Sequence, residues 1–347
     1  MTALLERAPY GPRDEAELLA ELNLLTRHHR TWCEAFARVW PGDADSRRIE
    51  DLPWLHVGLF KRVALRTDYP GARRGRTLRS SGTSGTPSRI ELDEDSSLLQ
   101  ARSAAAILRS VLGDDPQPLL VLDHADALRE KGSVSARLAA ALSLKPLASE
   151  IRFLLRGPTA AGEVAWDEVS KALAASSRLL VYGFTTALWE NWARARIPEP
   201  ALTELARARV SFVHSGGWKR LEDEGVDAAR LTRDLLARAG PGSRVLDCYG
   251  LVEQVGLLYP LCEGGYRHPP VWADVIVRDA ASLRTLTGEP GLLQLVNVLA
   301  RGAPCHNVLT EDLGRIEPGP CPCGRSGKRF VLLGRVPKAE LRGCANV

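Results

Sequence analysis

Short apolar runs alternate with helical repeats through the middle of the chain. Strands are predicted where four or five apolar residues follow one another, and helices where apolar residues recur every three or four positions. The predicted strands are residues 118–122, 151–155, 179–182, 210–213 and 245–248. The predicted helices are 133–144, 166–175, 228–239, another capped by Thr185 or Thr186, and one that runs to Leu112, capped by Asp95 or Ser96 and stopped at Gly113. This alternation is typical of an α/β fold with a parallel sheet and flanking helices.

The two ends of the chain have different patterns. Leucines at helical spacing, among them Leu18, Leu22 and Leu25, predict two helices in residues 1–50. From about residue 270 strands dominate, at 273–278, 292–298 and 330–333. The sequence therefore predicts a helical N-terminal segment (1–50), an α/β core (51–270) and a β-rich subdomain (271–347).

Composition narrows the class of protein. Of 347 residues, 45% are hydrophobic and 25% are charged, which is ordinary for a soluble globular protein. The net charge of +4 argues against a dedicated nucleic-acid binder. No apolar run approaches the length of a membrane span, and the N-terminus lacks a signal-peptide pattern, so we expect a cytoplasmic location without membrane contact.

The segment from Ser80 to Ser88 consists of hydroxyl residues, two glycines and a proline, with no apolar side chain. Glycines let a ligand approach the main chain, and consecutive exposed N–H groups suit an anion such as a polyphosphate. The Gly-Lys-Ser/Thr ending of the common P-loop is missing. A solvated linker is the alternative, because Ser/Thr/Gly clusters are usually only loops.

Unusual residues follow three of the predicted strands. The strand ends read Tyr182-Gly183-Phe184, His214 to Lys219 and Asp247 to Gln254. Ligands of such folds bind at the carboxyl ends of the strands. Ordinary turn chemistry could account for one of these segments, but three of them beside the hydroxyl-rich loop favour convergence on one site.

These motifs resemble those of the adenylate-forming superfamily. Ser80 to Ser88 is similar to its ATP loop, which usually ends in Pro-Lys, whereas here Ser88 stands in the Lys position and Arg89 follows. Tyr249 to Glu253 is similar to the Tyr-Gly-x-Thr-Glu motif, in which the aromatic packs on adenine and the Glu holds Mg²⁺; Val252 replaces the Thr. Without the resemblance, Tyr249 reads as a core residue and Glu253 as a helix-start residue.

The resemblance extends along the chain in the family order. His214 to Lys219 resembles the turn that lines the adenine, Asp312 fits the residue that binds the ribose hydroxyls, and Gly334-Arg335 with Lys338 resembles the motif that ends the large N-terminal domain. The ATP-binding residues implied are Ser80, Ser81, Gly82, Thr83, Ser84, Gly85, Thr86, Gly216, Gly217, Trp218, Tyr249, Gly250, Asp312 and Arg335. The acyl-binding residues implied are Tyr182, Phe184 and His214.

The fold implied is the large N-terminal domain of that superfamily: layered β-sheets with flanking helices and a small β-rich subdomain. Residues 51–270 would be the nucleotide- and acyl-binding core. The chain stops where the small C-terminal domain should begin, so we expect that domain to be lacking.

A narrower resemblance accounts for the end of the sequence. Gly217-Trp218-Lys219, Cys321-Pro322-Cys323-Gly324-Arg325 and Arg342-Gly343-Cys344 look like acyl-protein synthetase, the ligase subunit of the bacterial luminescence fatty acid reductase. That family activates a fatty or aryl acid as acyl-AMP with ATP and Mg²⁺, loads it on its own cysteine and passes it to an acyl reductase partner. The resemblance implies catalytic roles for Cys344, Glu253, Arg335 and Lys338.

Other interpretations stay open. Cys344 could be a small apolar residue that ends a strand rather than an acyl acceptor. The protein could instead be an aryl-CoA ligase of the phenylacetate type, or an acyl-AMP synthetase acting on an amine or another acceptor. A nucleotide-binding scaffold without turnover is the competitor from a different class.

A metal site is a further candidate. Cys321 and Cys323 form a tight pair in a Gly/Pro turn, and Cys262 and His268 offer another thiol and an imidazole. Three cysteines and one histidine would complete a closed tetrahedral Zn²⁺ site. The alternative is a turn with two incidental cysteines, with His268 lining the acyl or nucleotide pocket. Cys33, Cys248 and Cys305 read as packing residues.

Overall fold

The structure is a computed structural model that describes residues 2–80, 86–126, 134–157, 163–216, 218, 221 and 224–336. The α-helices in these ranges are α1 (Glu15–Trp32), α2 (Glu34–Val39), α3 (Glu94–Leu112), α4 (Ala136–Ser143), α5 (Trp166–Ala175), α6 (Thr185–Leu188), α7 (Glu199–Leu205) and α8 (Ala228–Leu236). The strands are β1 (Leu55–His56), β2 (Arg74–Arg79), β3 (Arg89–Asp93), β4 (Gln117–His124), β5 (Val134–Ser135), β6 (Ala148–Leu155), β7 (Arg178–Phe184), β8 (Arg209–Ser215), β9 (Arg244–Tyr249), β10 (Tyr259–Pro260), β11 (Ala273–Arg278), β12 (Thr285–Leu286), β13 (Gly291–Asn297), β14 (Asn307–Glu317) and β15 (Arg329–Arg335).

Residue contacts divide the chain into two units. Unit 1 combines residues 1–107 with 251–347, and unit 2 is the continuous segment 108–250. Unit 1 is therefore assembled from both ends of the chain. The division into 1–50, 51–270 and 271–347 made from the sequence is a different partition and stays a prediction.

Unit 2 is built on a parallel sheet with the strand order β9-β8-β7-β4-β6. The middles of its central strands β4, β7 and β8 are largely apolar, because both faces of a parallel sheet are covered. Residues 119–122, 179–182 and 210–213 are all buried, including the polar Ser211. The predicted α/β fold and the parallel strands of this unit are confirmed.

The core of unit 2 is rich in leucine, valine and tryptophan. Trp192 is fully buried and packs edge-on against Phe212, with their ring centroids 5.6 Å apart. Trp192 lies in the π-helical turn Trp189–Ala193, which continues α6. These two rings belong to the apolar core that packs on the sheet.

Unit 1 is built on a second sheet with the order β1-β14-β13-β11-β12, in which β15 also pairs with β14. The β1–β14 pair is parallel, and the other pairs are antiparallel. In the same unit β2 and β3 form an antiparallel pair, which makes the residues between them a hairpin connection. The predicted β-rich character after residue 270 is confirmed, but the long strand β14 was not predicted as a strand.

Two predicted helix caps are wrong. The N-terminal cap of α3 is Asp93, whose Oδ1 accepts the N–H of Ser96 at 2.8 Å, and not Asp95 or Ser96. α6 begins at Thr185, but the residue before it, Phe184, is the cap position and gives no side-chain hydrogen bond. The predicted stop at Gly113 is correct, since Gly113 has φ of +88° and its N–H reaches the carbonyl of Arg109.

Membrane spans were searched among the described helices. None of them combines the length and the apolar character needed to cross a bilayer. The cytoplasmic location stays a prediction.

Candidate functional site

The hydroxyl-rich loop connects β2 to β3. Its base is closed by two hydrogen bonds: the N–H of Ser80 donates to the carbonyl of Ser88 at 3.2 Å, and the N–H of Ser88 donates to Ser80 Oγ at 2.9 Å. This closure holds the two ends of the loop together at the mouth of a hairpin. The predicted ATP contacts of Ser81, Gly82, Thr83, Ser84 and Gly85 lie outside the described residues, and Thr86 lies in the exposed part of the loop next to them.

The buried carboxyl of Glu253 lies next to Ser88, at the base of this loop. It lies in the short 3-10 turn Val252–Gln254, with only 4% of its surface exposed. Burial raises the pKa of Glu253, and the Ser88 hydroxyl and the Lys61 ammonium oppose that rise. The Ser88 hydroxyl faces the carboxyl without a hydrogen bond of regular geometry. A bound cation would stabilise the ionised form of such a buried carboxyl.

The chain around Glu253 is fixed by buried amides. Gln254 donates from Nε2 to the carbonyl of Cys305 at 2.7 Å and accepts at Oε1 from Asn297 at 2.8 Å. Two residues further, a Cβ on Gly256 would lie 2.5 Å from Gln100 Cα, so only glycine fits against α3. These contacts fix the backbone that directly follows Glu253.

Asp312 and Arg335 face each other on neighbouring strands. They are register partners in β14 and β15, and Arg335 Nε donates to Asp312 Oδ1 at 3.0 Å. The N–H of Asp312 donates to Thr310 Oγ1 at 3.1 Å, and a bulge after Leu313 bends the strand. Unit 1 therefore brings together Glu253, Ser88, Asp312 and Arg335, since Asp312 also acts on the pKa of Glu253.

Tyr182 and His214 lie at the ends of adjacent strands of unit 2. The Tyr182 hydroxyl lies 3.3 Å from Ser215 Oγ, and His214 Nδ1 lies 2.9 Å from Thr185 Oγ1. Burial raises the pKa of Tyr182, so its hydroxyl stays protonated. The Trp218 ring is edge-on to the imidazole of His214, with centroids 5.7 Å apart. The end of this sheet thus carries a protonated phenol and two further aromatic rings.

The remaining predicted residues of unit 2 lie at the same strand ends. Phe184 ends β7, Gly216 follows β8 with φ of +61°, and Tyr249 ends β9 with its side chain buried. Gly250 is exposed, and Gly217 is outside the described residues. A single site formed by these strand ends and the hairpin loop would combine residues of the two units, and it stays a prediction.

The predicted metal ligands of unit 1 do meet. One ligand atom from each of Cys262, His268, Cys321 and Cys323 lies within 4.8 Å of the other three. Cys262 Sγ is 3.7 Å from Cys321 Sγ, and Cys323 Sγ is 3.5 Å from His268 Nε2. All of these cysteines are free thiols.

The surroundings of this cluster shift the pKa values of its members in different directions. Burial lowers the pKa of His268 to about 4, helped by the guanidinium of Arg325. Burial and the neighbouring thiols raise the pKa of Cys323 to about 11. Burial would also raise the pKa of Cys321, but hydrogen bonds from the Cys323 N–H and from the Cys262 and Arg329 side chains lower it. The imidazole is neutral, as a metal ligand must be.

Two predicted catalytic residues, Lys338 and Cys344, lie outside the described residues, and their roles stay predictions. No sequence motif includes Lys61, which pairs with Glu311 at 3.7 Å and lowers the pKa of the Glu253 carboxyl. Its only sequence signal is its place at the end of the segment 53–61, which precedes the loop. Ser88 replaces a lysine of the family loop, and its position next to Glu253 is visible only in the structure.

Comparison with known proteins adds a family and a fold. The family model for "Acyl-protein synthetase, LuxE" matches residues 13–347. A comparison with curated protein sequences found no match.

Among solved structures, a 2-hydroxyisobutyryl-CoA ligase in an open conformation, in complex with 2-HIB-AMP and CoA, has a TM-score of 0.70 at 15% identity, over 96% of this chain and 78% of that one. The same ligase in its thioesterification state has a TM-score of 0.66 at 16% identity, over 96% of this chain and 71% of that one. The fold of the chain is therefore similar to that of these ligases.

Proposed function

The chain belongs to the acyl-protein synthetase (LuxE) family, and from this premise we propose that it activates a carboxylic acid with ATP and carries the acyl group on its own Cys344. The enzyme is a ligase. The observation that supports the activation step best is the buried carboxyl of Glu253, held opposite Ser88 at the base of the hairpin loop.

ATP would bind along the hairpin loop and β14. The residue types of the loop suit the phosphates, because hydroxyls and consecutive backbone N–H groups are hydrogen-bond donors for an anion. Asp312 would accept hydrogen bonds from the ribose hydroxyls, and Arg335, fixed by Asp312 at 3.0 Å, would supply a positive charge beside the phosphates. Lys338 would add a second cation.

Mg²⁺ fits the Glu253 position. Mg²⁺ keeps most of its waters and takes one or two carboxylates together with phosphate oxygens, so one buried carboxylate is sufficient. Burial disfavours the ionised form of Glu253, and a cation at its oxygens would reverse that preference. When bound, the ion would neutralise charge on the phosphates. Glu253 would hold it, with Ser88 next to the carboxylate.

The first step is an attack on the α-phosphorus of ATP by a carboxylate oxygen of the acid. A P–O bond forms to the acid, the bond to pyrophosphate breaks, and acyl-AMP and pyrophosphate result. The loop would stabilise the charge that moves onto the leaving phosphates. The strand ends with Tyr182, Phe184 and His214 would receive the acyl chain, since a protonated phenol and aromatic rings are suited to an apolar group.

The second step is transfer to the chain itself. The Cys344 thiol gives its proton to water, and its sulfur forms a C–S bond to the acyl carbonyl carbon. The bond from that carbon to the phosphate oxygen breaks, and AMP leaves with the electron pair. The thioester would then be delivered to a partner, for which an acyl reductase is the best candidate given the family. The acid is proposed to be a fatty or aryl acid.

A CoA thioester is the second candidate product. The structural neighbour with the TM-score of 0.70 is a CoA ligase, which favours this alternative over transfer to an amine. CoA and Cys344 would compete for the same acyl-AMP, so the two products can be separated in one assay.

The test is acid-dependent exchange of pyrophosphate into ATP, with a panel of short, medium and long fatty acids and of aromatic acids. We expect Mg²⁺-dependent exchange with at least one acid, followed by acid label retained on the denatured protein. Label released as a CoA thioester on adding CoA, with none on the protein, would replace the self-acylation proposal by the ligase. ATP binding without exchange for any acid would indicate a scaffold and overturn the proposal.

A further inference from the structure

We propose that Cys262, His268, Cys321 and Cys323 bind one structural Zn²⁺ ion that ties the turn before β11 to the start of β15. Nothing in the proposed acyl chemistry uses these residues. The proposal is independent of ATP, because the ion would be held by protein side chains alone.

Two of the separations match those of a tetrahedral zinc site, and all four ligand atoms lie within 4.8 Å of one another. Two sulfurs at about 2.3 Å from zinc and at a tetrahedral angle lie about 3.8 Å apart, and a sulfur and an imidazole nitrogen lie about 3.6 Å apart. The observed Cys262–Cys321 separation is 3.7 Å, and the observed Cys323–His268 separation is 3.5 Å. A disulfide would need about 2.05 Å between sulfurs, so the cluster does not have disulfide geometry.

The histidine presents the correct nitrogen. His268 Nδ1 donates its proton to the carbonyl of Lys328 at 3.1 Å. The neutral ring therefore carries no proton on Nε2, and Nε2 is the nitrogen that faces Cys323. A backbone carbonyl on the far nitrogen is the usual second partner of a zinc-bound histidine, since it fixes the tautomer and the ring orientation.

Two similar turns present the cysteines. In the first, the Gly265 N–H donates to the carbonyl of Cys262 at 2.9 Å, and Gly265 has φ of +79°. In the second, the Gly324 N–H donates to the carbonyl of Cys321 at 3.0 Å, and Gly324 has φ of +78°. Both turns need a left-handed residue three positions after the first cysteine, which glycine supplies without strain.

The first turn also makes room for the sulfurs. A Cβ on Gly264 would lie 3.1 Å from Cys321 Sγ and 3.6 Å from Cys262 Sγ. The Gly264 backbone thus lies against the two thiols, and a side chain at this position would crowd Cys321 Sγ.

The environment suits the charge of the site. Three thiolates and Zn²⁺ carry a net charge of −1. Arg329, whose guanidinium stacks on Tyr266 at 4.3 Å, donates to Cys321, and Arg325 stacks on Tyr10 at 3.8 Å and acts electrostatically on His268. These cations offset the negative charge without occupying a ligand position.

The role of the ion follows from its ligands. Four protein ligands leave no open position for water or substrate, which makes the site structural. Two hydrogen bonds already join the segments that follow the two turns. The Arg267 N–H donates to the Phe330 carbonyl and the Phe330 N–H donates to the Arg267 carbonyl, both at 2.9 Å. Zinc would fix the start of β15, the strand whose last residue is Arg335. Binding would release the thiol protons of the three cysteines.

The experiment measures metal in the full-length protein purified without chelator. Elemental analysis should find about one zinc ion per chain, and the double variant Cys321→Ser/Cys323→Ser should hold less than about a tenth of that amount. Cys33→Ala, which removes a buried thiol away from the cluster, should keep the full amount. The variant pair separates the site from loss of cysteine in general.

A second measurement covers the case in which the double variant does not fold. Zinc in the wild-type protein is exchanged for Co²⁺, and the visible spectrum should show the strong ligand-field bands of tetrahedral cobalt with thiolate ligands. Wild-type protein that contains no zinc and gives no such bands with Co²⁺ would overturn the proposal. Neither result depends on pyrophosphate exchange, so failure of the metal site and failure of the proposed activity are distinguishable.

Discussion

Arg335 donates a hydrogen bond from Nε to Asp312 Oδ1 at 3.0 Å, across the paired strands β15 and β14. The Arg335 side chain is 48% exposed, whereas the Asp312 side chain is 9% exposed. A pair with one exposed partner contributes about 1 kcal/mol or less to stability. The arrangement therefore serves orientation more than stability, and it keeps the guanidinium at the edge of the proposed ribose site.

Asp312→Asn should weaken ATP binding far more than it weakens the fold. The amide cannot accept two hydroxyl hydrogen bonds as strongly as a carboxylate does, so KM for ATP should rise by roughly 10- to 100-fold. Steady-state pyrophosphate exchange at varied ATP measures this. Asp279→Asn, in an exposed turn of the same unit, is the matched control and should leave KM unchanged. An unchanged KM in Asp312→Asn would remove this residue from the nucleotide site.

Glu253→Gln should lose activity and gain stability. The pKa of Glu253 is raised by burial, so the folded protein binds its proton more tightly than the unfolded chain does. The stability associated with this group is full below the unfolded pKa and falls as the pH rises through the folded pKa. Gln mimics the protonated form, and at neutral pH without Mg²⁺ its Tm should exceed that of the wild type.

Pyrophosphate exchange by the same variant should fall by roughly 100-fold or more, because a neutral amide is a poor Mg²⁺ ligand. Glu317→Gln, which removes a carboxylate from β14 that pairs with Arg315, should retain exchange. Retained activity in Glu253→Gln together with a higher Tm would mean that Glu253 is buried for another reason.

Cys344→Ser should separate the two proposed steps. Acyl-AMP formation does not use the thiol, so pyrophosphate exchange should stay within about twofold of the wild type, while acid label on the denatured protein should fall to background. Cys33→Ala serves as the control that lacks a different thiol. Label that persists at the wild-type level in Cys344→Ser would assign the acceptor to another residue.

The protein should lose stability as the pH falls below about 6.5, because two buried histidines are neutral when folded. His29 and His306 stack with centroids 4.7 Å apart, and burial lowers the pKa of both, to about 3 for His306. A histidine whose folded pKa is depressed gives full stability above its unfolded pKa of about 6.5 and loses it as the pH falls.

At pH 5 the loss for His306 should be about 2 kcal/mol, since the unfolded chain gains the proton and the folded one does not. Urea unfolding at pH 7 and pH 5 measures it. His306→Gln retains an amide that can donate to Thr26 and should reduce the difference between the two pH values by about half. Equal stability at both pH values in the wild type would show that these rings accept protons in the folded state.

Strands that bury a run of apolar side chains could be predicted from the sequence. The strands β4, β6, β7, β8 and β9 of unit 2 contain short apolar runs, and each lies where a strand was expected. The two-residue strand β5 lies where a helix was expected. β14 was missed because it buries Asn307, Thr310 and Asp312, which do not read as a strand. The caps of α3 and α6 were misplaced because several hydroxyl or acidic residues compete at each start.

The candidate site was predictable only through local motifs. Ser80, Glu253, Asp312 and Arg335 belong to short stretches that can be read one at a time. The electrostatic interaction of Lys61 with Glu253 and the stack of His29 on His306 join residues that are far apart in the chain. No local sequence pattern predicts such interactions. The cysteine pair at 321 and 323 was visible, but only the three-dimensional distances to Cys262 and His268 distinguish a metal site from a turn.

Unit 1 is interrupted by unit 2, and this has a consequence for how the chain is made. Leu55 in β1 pairs with Val308 in β14, so the amino-terminal third of the polypeptide cannot complete its sheet until the ribosome has passed residue 308. The segment 108–250 emerges earlier and holds its own sheet, and domains generally fold as units during synthesis. The nascent protein is therefore expected to leave Leu55 and the apolar side of α1 without their partners from residues 251–347 for most of translation.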